Sequence, residues 1–397
     1  MMHIPSEVYE KILVRLEVKD LLRFKCVCRC WADIISSSFF VHRQLEQSKE
    51  DPDQNHRRIF LIFPHVTIPY NSCDDKEDSK SNRISKKIPL PRQFSRDDLK
   101  IMGSCDGLIC LLSKGYYVFL WNPSSRKVEE LSQPSYGCAN FYWFGRDSTI
   151  DGTNYKLIVG VSGDRFDDRR TNTLYVWSSN TNTDRSSYRW TEMGETVYIS
   201  KVFEDRGTFL NGIVHWPTYE PNMPNRLDFV VSYDLSRCEI RRLHAPAVIQ
   251  GGIVNSCYTL GVLDGRLCTI CKPIKKFEIW MMKEYGRNES WVRMVRLKEF
   301  EPNLKLLRPI CFLKNGELIA DVDRRKLVRY NFVTKTVQIV KTHNNHPMSD
   351  VITYLESLIS PRDIIQRPPP TTKSNQKDLR QLIGNLRTIR LAPRNKR

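Results

Sequence analysis

One kind of turn returns at nearly regular intervals along the chain, and this repeat limits the fold more than any other feature. Four dipeptides each precede an apolar run: Asp106-Gly107, Asn211-Gly212, Asp264-Gly265 and Asn315-Gly316. Such dipeptides are typical of two-residue hairpin turns, in which both central residues need a positive φ. The intervals between them are 105, 53 and 51 residues, and the segment Tyr155–Val161 lies near the middle of the first interval as a degenerate copy. The pattern predicts repeated β units.

Short β-type runs separated by turn residues fill the chain from residue 57 onward, as in RIFLIF, YYVFLW, YKLIVGV and FVVSYDL. Five units lie between about residues 100 and 345, and the runs near 59–68 and 351–358 are candidates for one more. A period of roughly 50 residues matches kelch-type blades. We therefore predict a kelch-like β-propeller of five or six blades, with recognition on its loops. Four tryptophans are expected in the blade cores: Trp121, Trp177, Trp216 and Trp280. The polar stretch 71–87 is expected to be a long loop.

The first forty-five residues follow a helical pattern instead. Three short helices are predicted, marked by Val8, Ile12, Leu13 and Leu16, then by Leu21, Leu22, Phe24 and Val27, then by Trp31, Ile34 and Ile35. Ser6 is a suitable N-cap for the first helix, and Phe39, Phe40 and Leu45 close the module. So small a module buries too little surface to use all of these side chains in its own core. The remaining apolar side chains face either a partner or the downstream domain, and their spacing alone does not distinguish these two possibilities.

The residues of this module resemble a plant F-box. The resemblance rests on the Ile4-Pro5 opening, EKIL, VKDLLRFKCVCR, Trp31 and Phe40, and it departs at Glu17 and Ser38, where proline is common. It implies docking on a Skp-type adaptor, and through it on the cullin and RING subunits of an SCF ubiquitin ligase. Such an interface typically buries about 1,600 Å². The implied adaptor contacts are Ile4, Pro5, Val8, Ile12, Leu13, Leu16, Leu21, Leu22 and Val27, with Trp31 and Phe40 in the F-box core.

The large domain resembles the plant F-box-associated interaction domain. The matching motifs occur in the usual order: GSCDGLICL, WNPSSRK, FLNGIVHW, SYDLS, LGVLDGRLC, FEIWMMKEYGRNESW, CFLKNGELI and YLESLISP. The stretch TNTDRSSYRW departs by being longer and more polar than usual. The chain is thus expected to be mostly β with a small α module, divided into an F-box (1–45), a propeller-like domain (57–360) and a basic, partly disordered tail (361–397). The resemblance implies a substrate receptor that holds an unknown protein for ubiquitination.

Composition limits the alternatives. No apolar stretch is long enough to span a membrane, and the charged N-terminus is unlike a secretory signal, so we expect a cytoplasmic or nuclear protein. In such a compartment the twelve cysteines are expected to be free thiols packed as small hydrophobes. The only CxxC, formed by Cys268 and Cys271, has no second ligand pair at zinc spacing. We expect neither a metal nor a cofactor.

The uneven distribution of charge along the chain suggests an alternative function. Of the formal +17, residues 362–397 hold ten Lys or Arg against two Asp or Glu. A basic tail of this kind can bind nucleic acid or an acidic protein surface, but no aromatic residue interleaves its charges. Nucleic-acid binding or scaffolding through the tail is therefore the second hypothesis. No catalytic motif such as GxSxG, HExxH or a phosphate loop occurs, so we do not expect an enzyme.

Overall fold

The computed structural model describes most of the helices and strands and fewer of the connections. The described residues are 6–51, 57–62, 66–69, 86–91, 94, 99–113, 117–131, 139–147, 154–162, 172–179, 190–196, 206–219, 227–246, 259–272, 276–297, 304–313, 315–340 and 350–365. Predictions for Ile4, Pro5, the stretch TNTDRSSYR and the tail beyond residue 365 lie outside them. So does the predicted loop 71–87, apart from Lys86–Lys87, which form a short strand paired with Val66 and Thr67 and not the predicted loop.

The N-terminal module contains four helices: α1 (Ser6–Leu13), α2 (Val18–Phe24), α3 (Arg29–Ser36) and α4 (Ser38–Glu50). The prediction of three helices missed α4. A single extended residue, Ser37 with φ −66° and ψ 141°, separates α3 from α4. Its hydroxyl accepts a hydrogen bond from the Phe40 amide at 3.2 Å, which satisfies one of the amides left without a partner at a helix start. The helix therefore continues past the predicted module boundary at residue 45.

Twenty-four described strands form six antiparallel blades. Blade 1 combines β1 (Arg57–Ile62), β2 (Val66–Pro69), β3 (Lys86–Lys87) and β24 (Asp350–Leu355). Blade 2 contains β4 (Leu99–Cys105), β5 (Leu108–Ser113), β6 (Tyr117–Asn122) and β7 (Lys127–Leu131). Blade 3 contains β8 (Ala139–Asp147), β9 (Asn154–Ser162), β10 (Asn172–Ser178) and β11 (Thr191–Thr196).

The remaining blades follow in chain order. Blade 4 contains β12 (Thr208–Leu210), β13 (Ile213–Tyr219), β14 (Leu227–Asp234) and β15 (Glu239–His244). Blade 5 contains β16 (Thr259–Leu263), β17 (Arg266–Cys271), β18 (Glu278–Met282) and β19 (Trp291–Arg296), with a short 3-10 turn at Asn288–Ser290. Blade 6 contains β20 (Leu307–Phe312), β21 (Leu318–Val322), β22 (Lys326–Asn331) and β23 (Thr336–Ile339). A last helix, α5, spans Pro361–Ile365, within the segment predicted to be tail.

The propeller is closed by its two ends, as the sequence predicted for the runs near 59–68 and 351–358. Strand β24 pairs with β1 over its whole length, from Arg57 opposite Leu355 to Ile62 opposite Asp350. Pairing the last strand with the first completes the ring of blades, which leaves only the short outer edge of each blade unpaired. The mostly β fold with a small α module is therefore confirmed, with six blades among the described residues.

Three of the four predicted hairpin turns have the expected backbone, whereas at Asn315-Gly316 only the glycine has a positive φ (80°). Both central residues have positive φ at Asp106-Gly107 (50° and 84°), Asn211-Gly212 (49° and 82°) and Asp264-Gly265 (50° and 66°). Each turn joins the first and second strands of its blade. The degenerate copy Tyr155–Val161 lies in β9, the second strand of blade 3, so it occupies the same place in the repeat.

A second kind of turn, which follows an aromatic strand, also repeats along the chain. The side-chain oxygens of Asn122, Asp234 and Asn331 each accept hydrogen bonds from the amides two and three residues later, at 2.8–3.1 Å. Four residues after each of them, the chain has a positive φ: Arg126, Cys238 and Lys335. Asn and Asp favour this geometry because their short side chains imitate a backbone turn. The same local chemistry thus connects the third and fourth strands of blades 2, 4 and 6.

Most of the predicted core tryptophans are buried, because the blades pack face to face. Trp121 and Trp177 are fully buried, and Trp216 is 1% exposed. Trp280 differs: it is only partly buried against the blade 4 and blade 5 core, and its indole N–H donates to Glu278 at 3.0 Å. The cysteines also differ from the prediction. Three are buried as expected (Cys110, Cys268 and Cys271), but Cys26, Cys28, Cys30 and Cys238 are exposed.

A buried cluster of charges connects the blades near the axis. The Asp350 carboxylate accepts hydrogen bonds from the guanidinium groups of Arg206 at 2.8 Å and Arg308 at 2.9 Å, and from the Ile101 amide at 3.1 Å. Burial by itself raises the pKa of Asp350, but the two arginines outweigh it and hold the pKa far below its usual range. The cluster joins residues of blades 1, 2 and 6 to Arg206, which lies two residues before β12 of blade 4.

Candidate adaptor-binding surface and its junction with the propeller

The four N-terminal helices enclose a small core of their own. It consists of Leu13, Val14, Val18, Leu21, Ile35 and Phe40, and Leu358 from the far end of the chain completes it. The Trp31 ring packs at its side, with ring centroids 5.9 Å from Tyr9 and 5.3 Å from Phe24. Phe40 is 1% exposed, so both residues predicted for the F-box core are in or against it. The pair Phe39-Phe40 divides between surface and core, because neighbouring residues on a helix point in different directions.

Part of the predicted contact set remains on the surface. Val8 is 42% exposed, Ile12 56% and Val27 61%. Leu16 and Leu22 are partly buried against the helical core. Phe39, which the prediction did not include, is 56% exposed. Four large apolar side chains exposed on so small a module are more than a solvated surface needs.

Two predicted contact residues are placed differently. Leu13 is 2% exposed and Leu21 is fully buried, because both point into the core that the four helices share. They are therefore not available to a partner on this surface, and they hold the helices together instead. A polar substitution at either position would disturb the module itself.

The helical module is joined to the propeller by apolar contacts on both sides. Leu45 of α4 is fully buried in the core of blades 2 and 3, together with Ile359 and Ile364 of the C-terminal segment. In the other direction, Leu358 enters the helical core. The segment after β24 thus lies between the two units and packs into each. The Asn122 side chain fixes this segment by donating to the carbonyls of Ser357 at 3.0 Å and Ile359 at 2.7 Å.

Asp106, in the first hairpin turn of blade 2, is the polar centre of the junction. Its carboxylate contacts Lys49 of α4 at 2.9 Å and Arg146 of blade 3 at 3.5 Å, and accepts a hydrogen bond from the Tyr155 hydroxyl at 2.8 Å. Its carbonyl accepts from the Ser357 hydroxyl at 2.7 Å. Burial, and then the charge of Asp106, raise the pKa of Tyr155 well above its usual range. One aspartate therefore connects the helical module, two blades and the C-terminal segment.

The arrangement presents an exposed apolar surface on a helical module that is held firmly against one face of a closed propeller. Such a molecule can bind one partner through the helices and hold a second through the propeller. Among the described residues, no helix is long and apolar enough to cross a membrane. The basic tail lies outside the described residues beyond Ile365, so its predicted role stays a prediction.

Comparison with known proteins defines the class. Residues 1–43 match the F-box domain, and residues 55–361 match the F-box associated beta propeller domain. The chain belongs to the family of F-box proteins with an F-box-associated β-propeller.

Relatives in Arabidopsis thaliana support this. The F-box/kelch-repeat protein At3g23880 is 26% identical over 91% of this chain and 97% of its own length. The putative F-box protein At3g16210 is 29% identical over 74% of each chain. The F-box protein CPR1 is 23% identical over 85% of this chain and 84% of its own length. The resemblance to a plant F-box protein is confirmed.

Proposed function

We propose that this protein is the substrate-recognition subunit of an SCF-type ubiquitin ligase. In this proposal the F-box binds a Skp-type adaptor, which links it to a cullin and a RING subunit, and the propeller binds the protein to be ubiquitinated. The observation that carries the proposal is the exposure of Val8, Ile12 and Val27. These side chains remain exposed although the F-box core is filled and the module is already packed on the propeller.

In this proposal the receptor itself catalyses no chemical step. It accelerates ubiquitin transfer by proximity, since it holds a substrate lysine near ubiquitin that another subunit has activated. The firm junction at Asp106 supports such a role, because a fixed F-box orientation keeps a bound substrate at a fixed distance from the adaptor. The family membership supports a receptor rather than an enzyme.

Two substitutions test the adaptor contact. Ile12→Asp and Val27→Asp each place a charge on an apolar surface, where an interface would have to desolvate it. We expect each to weaken binding of a co-expressed Skp-type adaptor by about tenfold or more, since a few central apolar residues supply most of the affinity in such interfaces. Binding is measured by pull-down and by calorimetry on the purified chain.

The chain offers a matched control for each change. Ile339→Asp and Val333→Asp alter the same residue types at exposures of 61% and 89%, but on blade 6. Both controls should bind the adaptor as the unmodified protein does. If the F-box variants bind as tightly as their controls, this surface is not the adaptor site.

A further inference from the structure

The two faces of the propeller differ in what they carry. The hairpin after β4 contacts α4 through Asp106 and Lys49, so the turns that end the first strands define the F-box side. The first strands of blades 2, 3 and 4 run in parallel, as the pairing of Gly103 with Phe144 and of Tyr142 with Arg206 shows. The starts of β16 and β20 meet through Thr259 and Leu307, and the starts of β20 and β24 meet through Arg308 and Asp350, so blades 5 and 6 run the same way. The connections between second and third strands therefore lie at the opposite face. We call it the far face.

Seven basic side chains lie together at the far face of blades 5 and 6, and we call them the far-face basic surface. They come from the β17–β18 connection, the end of β19, the segment before β20 and the β21–β22 turn: Lys272, Lys276, Arg293, Arg296, Lys305, Arg324 and Arg325. The side chains of Arg293 and Arg296 are 47% and 53% exposed. Lys276, Lys305, Arg324 and Arg325 are also exposed.

Backbone contacts hold these segments side by side. The Lys272 ammonium group donates to the Leu304 carbonyl at 2.7 Å. The Asp323 carboxylate accepts from the amides of Lys305 at 2.9 Å and Leu306 at 2.6 Å. The far-face basic surface is thus one continuous area built across two blades.

The carboxylates within this area are already engaged. Glu278 is 3% exposed and lies beneath Arg293 at 3.4 Å and Arg296 at 2.6 Å. Asp323 is used by the two amides that it accepts from. Among the described residues of this area, seven cationic groups therefore stand against three carboxylates: Glu278, which faces inward, Asp323, which binds backbone amides, and the buried Asp321, which pairs with Arg308 and lies near Arg324. The surface has a local excess of positive charge.

We propose that the far-face basic surface binds an acidic segment of the protein substrate. This inference rests on the proposed receptor function and names the chemistry of its substrate. Arginine and lysine side chains recognise carboxylates through charge-assisted hydrogen bonds, and complementary charge supplies specificity and fast association. The far face is also clear of the F-box, so a segment bound there does not compete with the adaptor.

The aromatic side chains of the area favour a peptide over single-stranded nucleic acid. Bases bind such proteins by stacking on exposed rings between the charges. Here the Phe277 ring is 5% exposed, and the Lys272 ammonium group lies 5.3 Å from its centroid. The Trp280 ring is partly buried and bonded to Glu278. The described residues of the far-face basic surface therefore offer charge without an exposed stacking platform.

The test uses the full chain, purified with its adaptor, and a short fluorescein-labelled peptide of alternating Glu and Gly as the probe. The test variant combines Lys305→Glu, Arg324→Glu and Arg325→Glu. A control variant combines Arg237→Glu, Lys283→Glu and Lys335→Glu, which are exposed residues in turns on the F-box side. The two variants have the same net charge, so a difference between them reports the position of the charges and not their number.

We expect fluorescence anisotropy to show peptide binding that weakens about tenfold or more in the test variant and much less in the control variant. Equal losses in both variants, or no binding by the unmodified protein, would overturn the proposal. Tighter binding of an oligo-uridine RNA that the peptide cannot displace would also overturn it, in favour of nucleic acid. Adaptor retention is scored in the same preparations. Its absence from the unmodified protein would count against the receptor function itself, independently of the peptide result.

Discussion

Replacing Asp106 by Asn removes the charge at the junction but keeps the turn. Asn is suited to a positive φ in a hairpin, so the backbone at 50° is retained while the ion pairs with Lys49 and Arg146 are lost. Hydrogen bonds to charged groups contribute roughly 1.5–3 kcal/mol, and removing one partner of a fully buried pair costs about 3–5 kcal/mol. The Asp106 side chain is 4% exposed, but Lys49 and Arg146 are 28% and 29% exposed. Since both cations keep access to solvent, we expect a loss of about 2 kcal/mol.

Hydrogen exchange of the α4 amides measures this loss where it occurs. A segment that opens locally exchanges at a rate set by its own opening free energy, and about 2 kcal/mol corresponds to roughly thirtyfold faster exchange. The increase should be confined to α4 and the adjoining F-box core. Adaptor binding should persist, because Val8, Ile12 and Val27 are exposed and do not take part in the junction.

Asp264→Asn is the matched control for this change. It alters the same residue type in the same turn of blade 5, but its side chain is 82% exposed and its nearest cation, Arg266, is 3.8 Å away. Exposed pairs of this kind contribute at most about 1 kcal/mol. If Asp106→Asn and Asp264→Asn accelerate exchange in α4 equally, Asp106 does not hold the F-box in place.

Two further substitutions test how the propeller is closed. Gly107→Ala should lower the denaturation midpoint more than Gly265→Ala. Both glycines have a positive φ (84° and 66°), but a Cβ at residue 107 would lie 2.1 Å from the Ser357 hydroxyl, whereas nothing lies within 4 Å of a Cβ at residue 265. Equal effects would show that the C-terminal segment is not packed on this turn. Asp350→Asn should destabilise the fold by about 3 kcal/mol in guanidinium titrations at neutral pH, because it leaves the partly buried Arg206 without a carboxylate and the buried Arg308 with Asp321 alone. Because the folded-state pKa of Asp350 is depressed, its stabilising contribution is present above its unfolded pKa of about 4 and is lost as the pH falls below that. The difference in unfolding free energy between the variant and the unmodified protein should therefore become smaller in acid. A difference independent of pH would contradict the stabilising role of the Asp350 charge.

Features that depend on local chemistry could be read from the sequence. The hairpins at Asp106 and Asn211 need residues that tolerate a positive φ, and few dipeptides meet that need. The turns after Trp121 and Tyr233 begin with Asn or Asp because these side chains accept hydrogen bonds from the next amides. Because similar turns recur in several blades, their spacing predicted five or six blades, and the structure has six among the described residues.

Features that depend on distant contacts could not be read in the same way. Val8, Ile12 and Leu13 share the apolar pattern of one short helix, and the pattern does not say which of them faces inward. That choice is made by the other helices and by Leu358, which lies far along the chain. Likewise, Cys26 and Cys28 were expected to be buried because of their type, yet they lie in a connection between helices, where the core is already filled.

The segment after β24 makes the F-box and the propeller depend on each other. Strand β24 closes the ring by pairing with β1, and a few residues later Leu358 enters the F-box core while Ile359 enters the core of blades 2 and 3. The free energy that stabilises the F-box core therefore includes contacts that form only when the last strand is in place. Since Ile12 lies on α1 and Val27 in the turn between α2 and α3, both next to that core, the surface offered to an adaptor is complete only in a chain whose propeller has closed.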